Sequence, residues 1–591
     1  MDTWLWVAVG LGLYWLVVAT LRNRGVLPDS VGTMGPLLTI HTQRGKDLLD
    51  WLARPKRAWR AWGNFGLGLA LVVGVGAFVL LVVQAVMILL NPPEPSAVTQ
   101  PRNVLVIPGV NDFLPLSVAP EIVLGLLIGM VVHEGGHGVL SRVGNIGVES
   151  MGVVLLAVIP MGAFVEPDEE EQRNADRGSR ARMFAAGVTN NFLVTVLAFA
   201  LLMGPVVGAI AVAPGAAVGG TIPGSPADRA GIDQGDRITA VGGVDVANNS
   251  ELDRVLSATR AETVSVTLAG GESTTVDRDL LVTGVVENVS PFAAFSVNST
   301  VERVNGTAVN TEPEFRDALQ NRTVATITTT NASGTTTATG PVGALAVVAP
   351  DGPFARDTAL TANQHVVITH LDGDRVVTGG DVSTALADTH PGDDVTVEAY
   401  VDGTKQTYTV TLGENPNTNT QTGFLGVTSY VGVSGLDTSD FGVDLYPAAT
   451  FLDIVGGDLD VNFAQQGLYL LLLPFLGAVA AGFGYNFAGF VDVNANFYTV
   501  TGPLSGFEPL VFILANVLFW TGWINLNLGA FNCIPAFPLD GGHLLRTSTE
   551  AVVSRLPVDD KPSAVRTVTT TVGLTMLVSL LIMVFGPQLL S

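Results

Sequence analysis

At 591 residues the chain is long enough for several domains. Only 14% of its residues are charged and 48% are hydrophobic, whereas soluble globular proteins carry about 25% charged residues; an ordinary soluble protein is excluded and a membrane protein indicated. A net charge of −24 argues against nucleic acid as a partner. The single cysteine, Cys533, rules out an intrachain disulfide framework and any cysteine-based zinc-finger or iron–sulfur site.

The charge is unevenly spread. Residues 221–465 hold 32 acidic and 11 basic side chains, so an acidic insert interrupts a nearly neutral remainder. Apolar stretches long enough to cross about 30 Å of hydrocarbon occur at 4–20, 65–90, 120–140, 183–204, 509–530 and 568–588. The first is preceded by Asp2 and followed by Arg22 and Arg24, the reverse of a cleavable signal, and reads as an anchor. Residues 466–484 are a further candidate, broken by Pro474 and several glycines, and either re-entrant or paired with 485–500. Eight Lys and Arg against three acids at 21–62 place that loop in the cytoplasm, and Arg546, Arg555, Lys561 and Arg566 place 545–567 there as well. The insert 214–465 is then extracytoplasmic. Six Asn-x-Ser/Thr sequons, beginning at Asn248, Asn288, Asn298, Asn305, Asn321 and Asn331, all fall within it.

The insert repeats itself. ITAVGGVDVANNSELDRVL (238–256), VERVNGTAVNTEPEFRDAL (301–319) and VITHLDGDRVVTGGDVSTAL (367–386) each predict a strand, a glycine turn, a second short strand and an amphipathic helix. Alternating Thr/Val-rich runs follow at 262–268, 323–330 and 394–401. The first repeat, with GSPADRAGIDQGDRI (224–238), resembles a PDZ domain closely, the third resembles one moderately and the second weakly. PDZ domains take a peptide as an added strand at a sheet edge. The resemblance therefore implies peptide C-termini as ligands; repeats that act only as spacers or steric lids fit the sequence equally well.

The chemistry lies in the apolar part. Residues 131–140 read VVHEGGHGVL, and on a helix His133 and His137 share one face, so that two imidazole nitrogens can converge on one metal ion. Glu134 beside them can take a proton from a metal-activated water. Ionisable residues are costly in a bilayer and mark functional candidates there, while Gly135, Gly136 and Gly138 call for a close neighbour. A further ligand is to be sought in FNCIPAFPLDGGHLLR (531–546), which offers both Asp540 and His543; physical reasoning alone does not choose between them.

HEGGH in an apolar helix, the PDZ-like insert and then Asn532-x-x-Pro535-x-Phe537-x-Leu539-Asp540-Gly541 together resemble the site-2 protease family of intramembrane zinc metalloproteases. AAGVTNNF (185–192) is similar to a third family motif, with Val188 where proline is common, and 151–171 to a membrane-associated hairpin. The resemblance implies Zn2+ held by His133, His137 and Asp540, Glu134 as general base and then acid, and Asn532 and Asn191 as substrate-positioning residues. It also implies membrane-protein substrates, cut in or near their transmembrane segments in regulated intramembrane proteolysis. The expected architecture is a polytopic α-helical membrane protein with an extracytoplasmic β-rich insert of PDZ-like repeats, in the cell membrane, its active site near the cytoplasmic face. Its parts are an anchor and basic segment (1–62), a first catalytic half (63–213), three repeats (214–282, 283–340, 341–425), an acidic linker (426–465) and a second catalytic half (466–591). A catalytically idle receptor or scaffold using the repeats, and a metal transporter, are the competing readings. The former leaves the intact His133, Glu134, His137 and Asp540 unexplained; the latter calls for more charge along the spans.

Overall fold

The computed structural model describes the chain apart from residues 1–2, 29, 36, 94–98, 104–105, 112, 157–158, 416–421, 480–483 and 591. It divides into two compact units, Met1–Val212 with Ala448–Ser591, and Ala213–Pro447.

The first unit is mainly helical. In chain order its long helices are α1 (Thr3–Asn23), α2 (Lys56–Leu90), α3 (Ala119–Val143), α4 (Arg177–Leu201), α5 (Glu508–Asn532), α6 (Asp540–Val553) and α7 (Lys561–Leu590). Among the described residues, α2, α3, α4, α5 and α7 lie in five helical stretches long and apolar enough to cross a membrane. Local signals set their starts. The carboxylate of Asp176 accepts the Ser179 N–H at 3.0 Å at the head of α4, and α3 and α5 carry proline in the first turn, where no helical partner is lost. Helices α3, α4 and α5 pack against one another, and α5 is the most enclosed of the five.

Among the described residues, the apolar helical stretch Phe463–Val479 is shorter than a membrane span: it is α-helical over Phe463–Leu472, tightens to a 3-10 turn at Leu473–Phe475, where Pro474 sits, and is α-helical again over Leu476–Val479. The following stretch has no apolar helix to pair with it among the described residues. Its backbone is instead satisfied from α5: Asn516 accepts the Phe490 N–H at 2.8 Å and donates to the Phe490 carbonyl at 3.2 Å. The Trp520 indole donates to the Ala488 carbonyl and the Trp523 indole to that of Leu471, in the last turn of the preceding helix, each at 3.0 Å. Irregular backbone persists at membrane depth only when protein groups meet its hydrogen-bonding needs in this way.

Two sheets belong to this unit: a short antiparallel pair, Ile210–Val212 with Tyr498–Val500, and a four-stranded sheet of β1 (Val31–Met34), β2 (Leu37–His41), β3 (Val148–Leu156) and β4 (Ile159–Pro167) in the order β1-β2-β3-β4, all antiparallel. The apolar run after the first motif is thus a β-hairpin, extended by two strands from the loop ahead of α2. Strand β4 is an edge and packs on α3.

The second unit contains three six-stranded antiparallel sheets. Each begins with one strand, β5 (Ala216–Thr221), β6 (Leu281–Val285) or β7 (Ala344–Val348). Each then carries a helix, Asn249–Ala258, Glu312–Gln320 or Gly379–Leu386, and ends in a hairpin. Alternating valines and isoleucines of each sheet turn inward onto the helix to make one apolar core per sheet. Residues 426–447, expected as part of an acidic linker, supply three more strands: β8 (Val427–Ser429), β9 (Leu436–Ser439) and β10 (Val443–Leu445). They pair antiparallel with β7, β6 and β5 respectively, so the returning chain completes the three sheets in reverse order. The rest of that expected linker begins with a helix, Ala448–Gly456, whose Phe451, Ile454 and Val455 are buried in the first unit. Its apolar face outweighs the acids that grouped it with the insert.

Candidate metal centre

Four residues apart on α3, His133 and His137 present their imidazoles on one face, with ring centroids 4.8 Å apart. Both Nε2 atoms face the same atom, Asp540 Oδ2, at 3.1 and 3.2 Å. Asp540 is the first residue of α6, and the chain reaches it through the turn that follows α5. Gly541 makes this approach possible, since a Cβ there would lie 2.4 Å from the carbonyl oxygens of both Cys533 and Ile534.

The far side of each ring is also engaged. His137 Nδ1 donates to the Met183 carbonyl at 2.8 Å. His133 Nδ1 donates to the Asn191 side-chain oxygen at 3.2 Å, in the amide orientation whose nitrogen donates to the carbonyls of Gly187 (3.3 Å) and Gly129 (3.2 Å). These bonds, both to α4, fix the tautomer that leaves each Nε2 as an acceptor. Three lone-pair atoms, two imidazole nitrogens and a carboxylate oxygen, then lie within 4.8 Å of one another in a largely buried site. Asp540 Oδ2 has no hydrogen-bond donor. Such a cluster is costly unless a cation sits among the three. Two imidazoles and one carboxylate fit a catalytic zinc, with a coordination position left for water or substrate.

Of the two candidates at 531–546, the structure brings Asp540 to the histidines, while the His543 ring stacks on Phe184 with centroids 4.4 Å apart. Glu134 accepts the backbone N–H of Val165 on β4 at 3.1 Å. Asn191 is where the motif around it suggested, though its partner is a histidine. Asn532 donates to the Leu528 carbonyl of its own helix at 3.0 Å. The glycines of the first motif divide: Gly136 lies against Ala186 and Asn190 of α4, Gly138 against Leu49, and Gly135 borders open space.

Three contributors were not read from the sequence. The Met183 carbonyl and the Val165 N–H are backbone groups, which every residue offers. Gly187, whose missing side chain makes room for the His133 ring, sat inside a quoted motif as an unexplained glycine in an apolar helix. Of the other histidines, His41 lies in β2 with its Nδ1 3.0 Å from Ser150 Oγ. His365, His370 and His390 belong to the second unit.

Two imidazoles from an apolar helix and a carboxylate brought beside them form, in a protein with five helices apolar enough to cross a membrane, the donor set that suits a metal-dependent hydrolase. The chain belongs to peptidase family M50, the site-2 protease family of intramembrane metalloproteases, whose model matches residues 121–580. It is also similar to an uncharacterized protein of Methanocaldococcus jannaschii, at 27% identity over 204 residues, 34% of this chain and 52% of that one. The chain thus spans about half the length of that relative.

Proposed function

We propose that this protein is an intramembrane zinc endopeptidase that hydrolyses peptide bonds in or near transmembrane segments of other membrane proteins. The observation that carries the reading is the convergence of His133 Nε2, His137 Nε2 and Asp540 Oδ2 with both Nδ1 atoms already donating elsewhere. Zinc bound there supplies a polarised water and a Lewis acid for the scissile carbonyl.

The chain's own groups do the rest. Glu134 takes the proton of the attacking water and passes it to the leaving amine as the C–N bond breaks, so one carboxylate serves as base and then acid. Asn191 holds His133 in position, and Met183 does the same for His137. A helical substrate hides its peptide bonds in its own hydrogen bonds, and once unwound it needs partners inside the bilayer. The outer edge of β4 fits this need. The Val165 N–H points away from β3 to Glu134, and the alternation of an antiparallel ladder turns the N–H and C=O of Ala163 the same way. A substrate strand added at Ala163 would lie beside the general base. Asn532 is the remaining candidate for a contact to that strand.

The third sheet of the second unit supports a binding role besides. Its outer strand β8, the helix Gly379–Leu386 and the turn at 422–425 line a cleft of about 1430 Å³. Val382 and Leu386 line it together with β8, whose outer edge pairs with no strand among the described residues. This cleft takes an extended peptide end as an added strand in the PDZ manner. An extracytoplasmic position for the insert, a catalytic centre near the cytoplasmic face, and a place in regulated proteolysis complete the reading; they rest on the loop charges and the family resemblance.

The test pairs zinc content with cleavage of a fluorescent transmembrane substrate, for wild type and Glu134→Gln, with products located by mass spectrometry. One zinc in both proteins, with cleavage inside the membrane segment by wild type alone and a loss of at least about 100-fold in the variant, supports the proposal. Zinc in both with no cleavage of a broad panel favours the idle scaffold or transporter. Absence of zinc from both, after it is supplied, overturns the metal centre.

A further inference from the structure

A second cleft, of about 510 Å³, opens where the first residues of α4 and α7 meet α6. Arg177, Arg546, Lys561 and Arg566 line it, together with one acid, Glu550. That acid is already neutralised: its two oxygens pair with Arg180 at 2.9 Å and Arg546 at 3.3 Å. Arg177 donates to the Ser554 hydroxyl at 3.1 Å and Lys561 to the Ser554 carbonyl at 3.0 Å, both neutral acceptors. Among the described residues neither of these cations, nor Arg566, has a carboxylate within ion-pair distance. The nearby acids Asp176 and Asp560 are occupied in capping α4 and α7, which leaves Asp559. In a chain with 53 acids and 29 Lys and Arg, a cleft lined by three cations, Arg177, Lys561 and Arg566, with no ion-pair partner among the described residues stands out.

The walls are of mixed character. Pro562, Val565 and Thr569 of α7 line the cleft below the cations. Further along α7 the exposed side chains Leu574, Leu577, Val578 and Leu581 are apolar, on a face about a third of a turn round the helix from the residues that line the cleft. A cationic recess at the head of a helix with exposed apolar side chains matches a molecule with a phosphate at one end and acyl or isoprenoid chains at the other.

We propose that this cleft is a binding site for the headgroup of an anionic phospholipid, its chains lying along α7. A free phosphate shares the headgroup chemistry; the lipid is favoured because the recess opens at the end of a helix long and apolar enough to cross a membrane. Cations placed only to orient the protein in the membrane would have no need of a shared recess. Basic pockets between membrane helices hold anionic headgroups on these terms, each cation contributing about 1 kcal/mol, or roughly fivefold in affinity.

The proposal does not depend on proteolysis, and its readout is binding. Full-length protein in a neutral detergent is stripped of lipid and titrated with phosphatidylglycerol, phosphatidylcholine or inorganic phosphate, followed by thermal unfolding and native mass spectrometry. The expected result is a saturable rise in Tm and one retained phosphatidylglycerol, with neither from phosphatidylcholine. Arg566→Gln, which breaks no hydrogen bond or ion pair among the described residues, weakens this about fivefold, and Arg177→Gln/Lys561→Gln/Arg566→Gln abolishes saturation over the same range. Arg566→Lys keeps most of the effect, which separates charge from packing. Equal effects of the two lipids, stabilisation by inorganic phosphate at the concentrations that suffice for phosphatidylglycerol, or an unchanged titration in Arg566→Gln would each overturn the proposal.

Discussion

Replacing Gly187 by alanine tests whether α4 sets the position of the first histidine. A Cβ built at Gly187 falls 2.7–2.8 Å from Cε1, Nδ1 and Nε2 of the His133 ring, where ordinary contact begins at 3.4 Å. The ring is not a free end that swings aside: Asn191 holds it on one side and it faces Asp540 on the other. It must withdraw by about 0.6–0.7 Å, or α3 and α4 must separate, and overpacking of this kind costs about 1–3 kcal/mol. Misplacing a reacting group by about 1 Å costs on the order of 100-fold in rate, and loss of a group that orients a ligand costs about 10–100-fold in metal affinity. Gly135→Ala is the control. It lies two residues from His133 in the same motif, but its Cβ meets nothing within 4 Å, and both substitutions gain the same helix propensity of about 1 kcal/mol. Zinc affinity by chelator competition and cleavage of a transmembrane substrate are measured on both. Gly187→Ala should lose at least about tenfold in affinity and more in rate, while Gly135→Ala keeps wild-type affinity. Wild-type zinc affinity in Gly187→Ala, or equal losses in the two variants, would refute the account of how the site is held.

Asn191→Leu removes the acceptor that fixes the His133 tautomer and should weaken zinc binding about 10–100-fold, with Asn191→Asp recovering part of it; chelator competition decides. In the second unit, Arg278 is fully buried against Asp440 and also donates to the carbonyls of Thr259 and Leu256. Arg278→Met leaves the Asp440 charge buried and should destabilise this unit by about 3–5 kcal/mol, with partial recovery in Arg278→Met/Asp440→Leu; hydrogen exchange across 213–447 reads it. Lys405 donates to Glu398 and holds its carboxyl below the ordinary carboxylate range, with His370 adding to the effect. A carboxyl whose folded pKa is depressed contributes stability above its unfolded value, and that contribution is lost as pH falls through the folded one. Lys405→Met should therefore melt below wild type by about 0.5 kcal/mol at pH 6, the gap closing as the pH is lowered past about 4. A gap independent of pH would show that the ion pair contributes nothing.

The candidate cluster was legible because its side chains are chemically out of place: two histidines and a glutamate in one apolar helix, and an aspartate beside another. Residue chemistry left Asp540 and His543 open, and the fold brings Asp540 to the histidines. The groups that hold the site were illegible for a plain reason. A carbonyl such as that of Met183 carries no mark in the sequence, and Gly187 differs from other helix glycines only in what packs on it. The same holds for the sheets. Strands β1 and β2 lie in a stretch read by its cations as a loop, and the pairing of β2 with β3 spans more than a hundred residues. Strands β8, β9 and β10 are three or four residues long amid acids, and pair with partners far back in the chain. Local alternation shows where a strand can form but not which distant edge it completes.

The reverse order in which those three strands return has a consequence for biogenesis. The sheets are closed like nested parentheses: the last opened is the first shut. A nascent chain that has emerged as far as residue 425 holds three sheets, each without its final strand, and three open edges exposed together. None can be finished until the segment 427–445 follows, and that segment then reaches β7, β6 and β5 in that sequence. The long closures make this a slow assembly by topology alone. Unpaired edges held open meanwhile are sites for mispairing with a neighbouring nascent chain. The three β-units are therefore not beads that can be cut apart and studied singly. A fragment ending before residue 427 loses a strand from every one of them, and a frameshift or stop in that short return would damage all three.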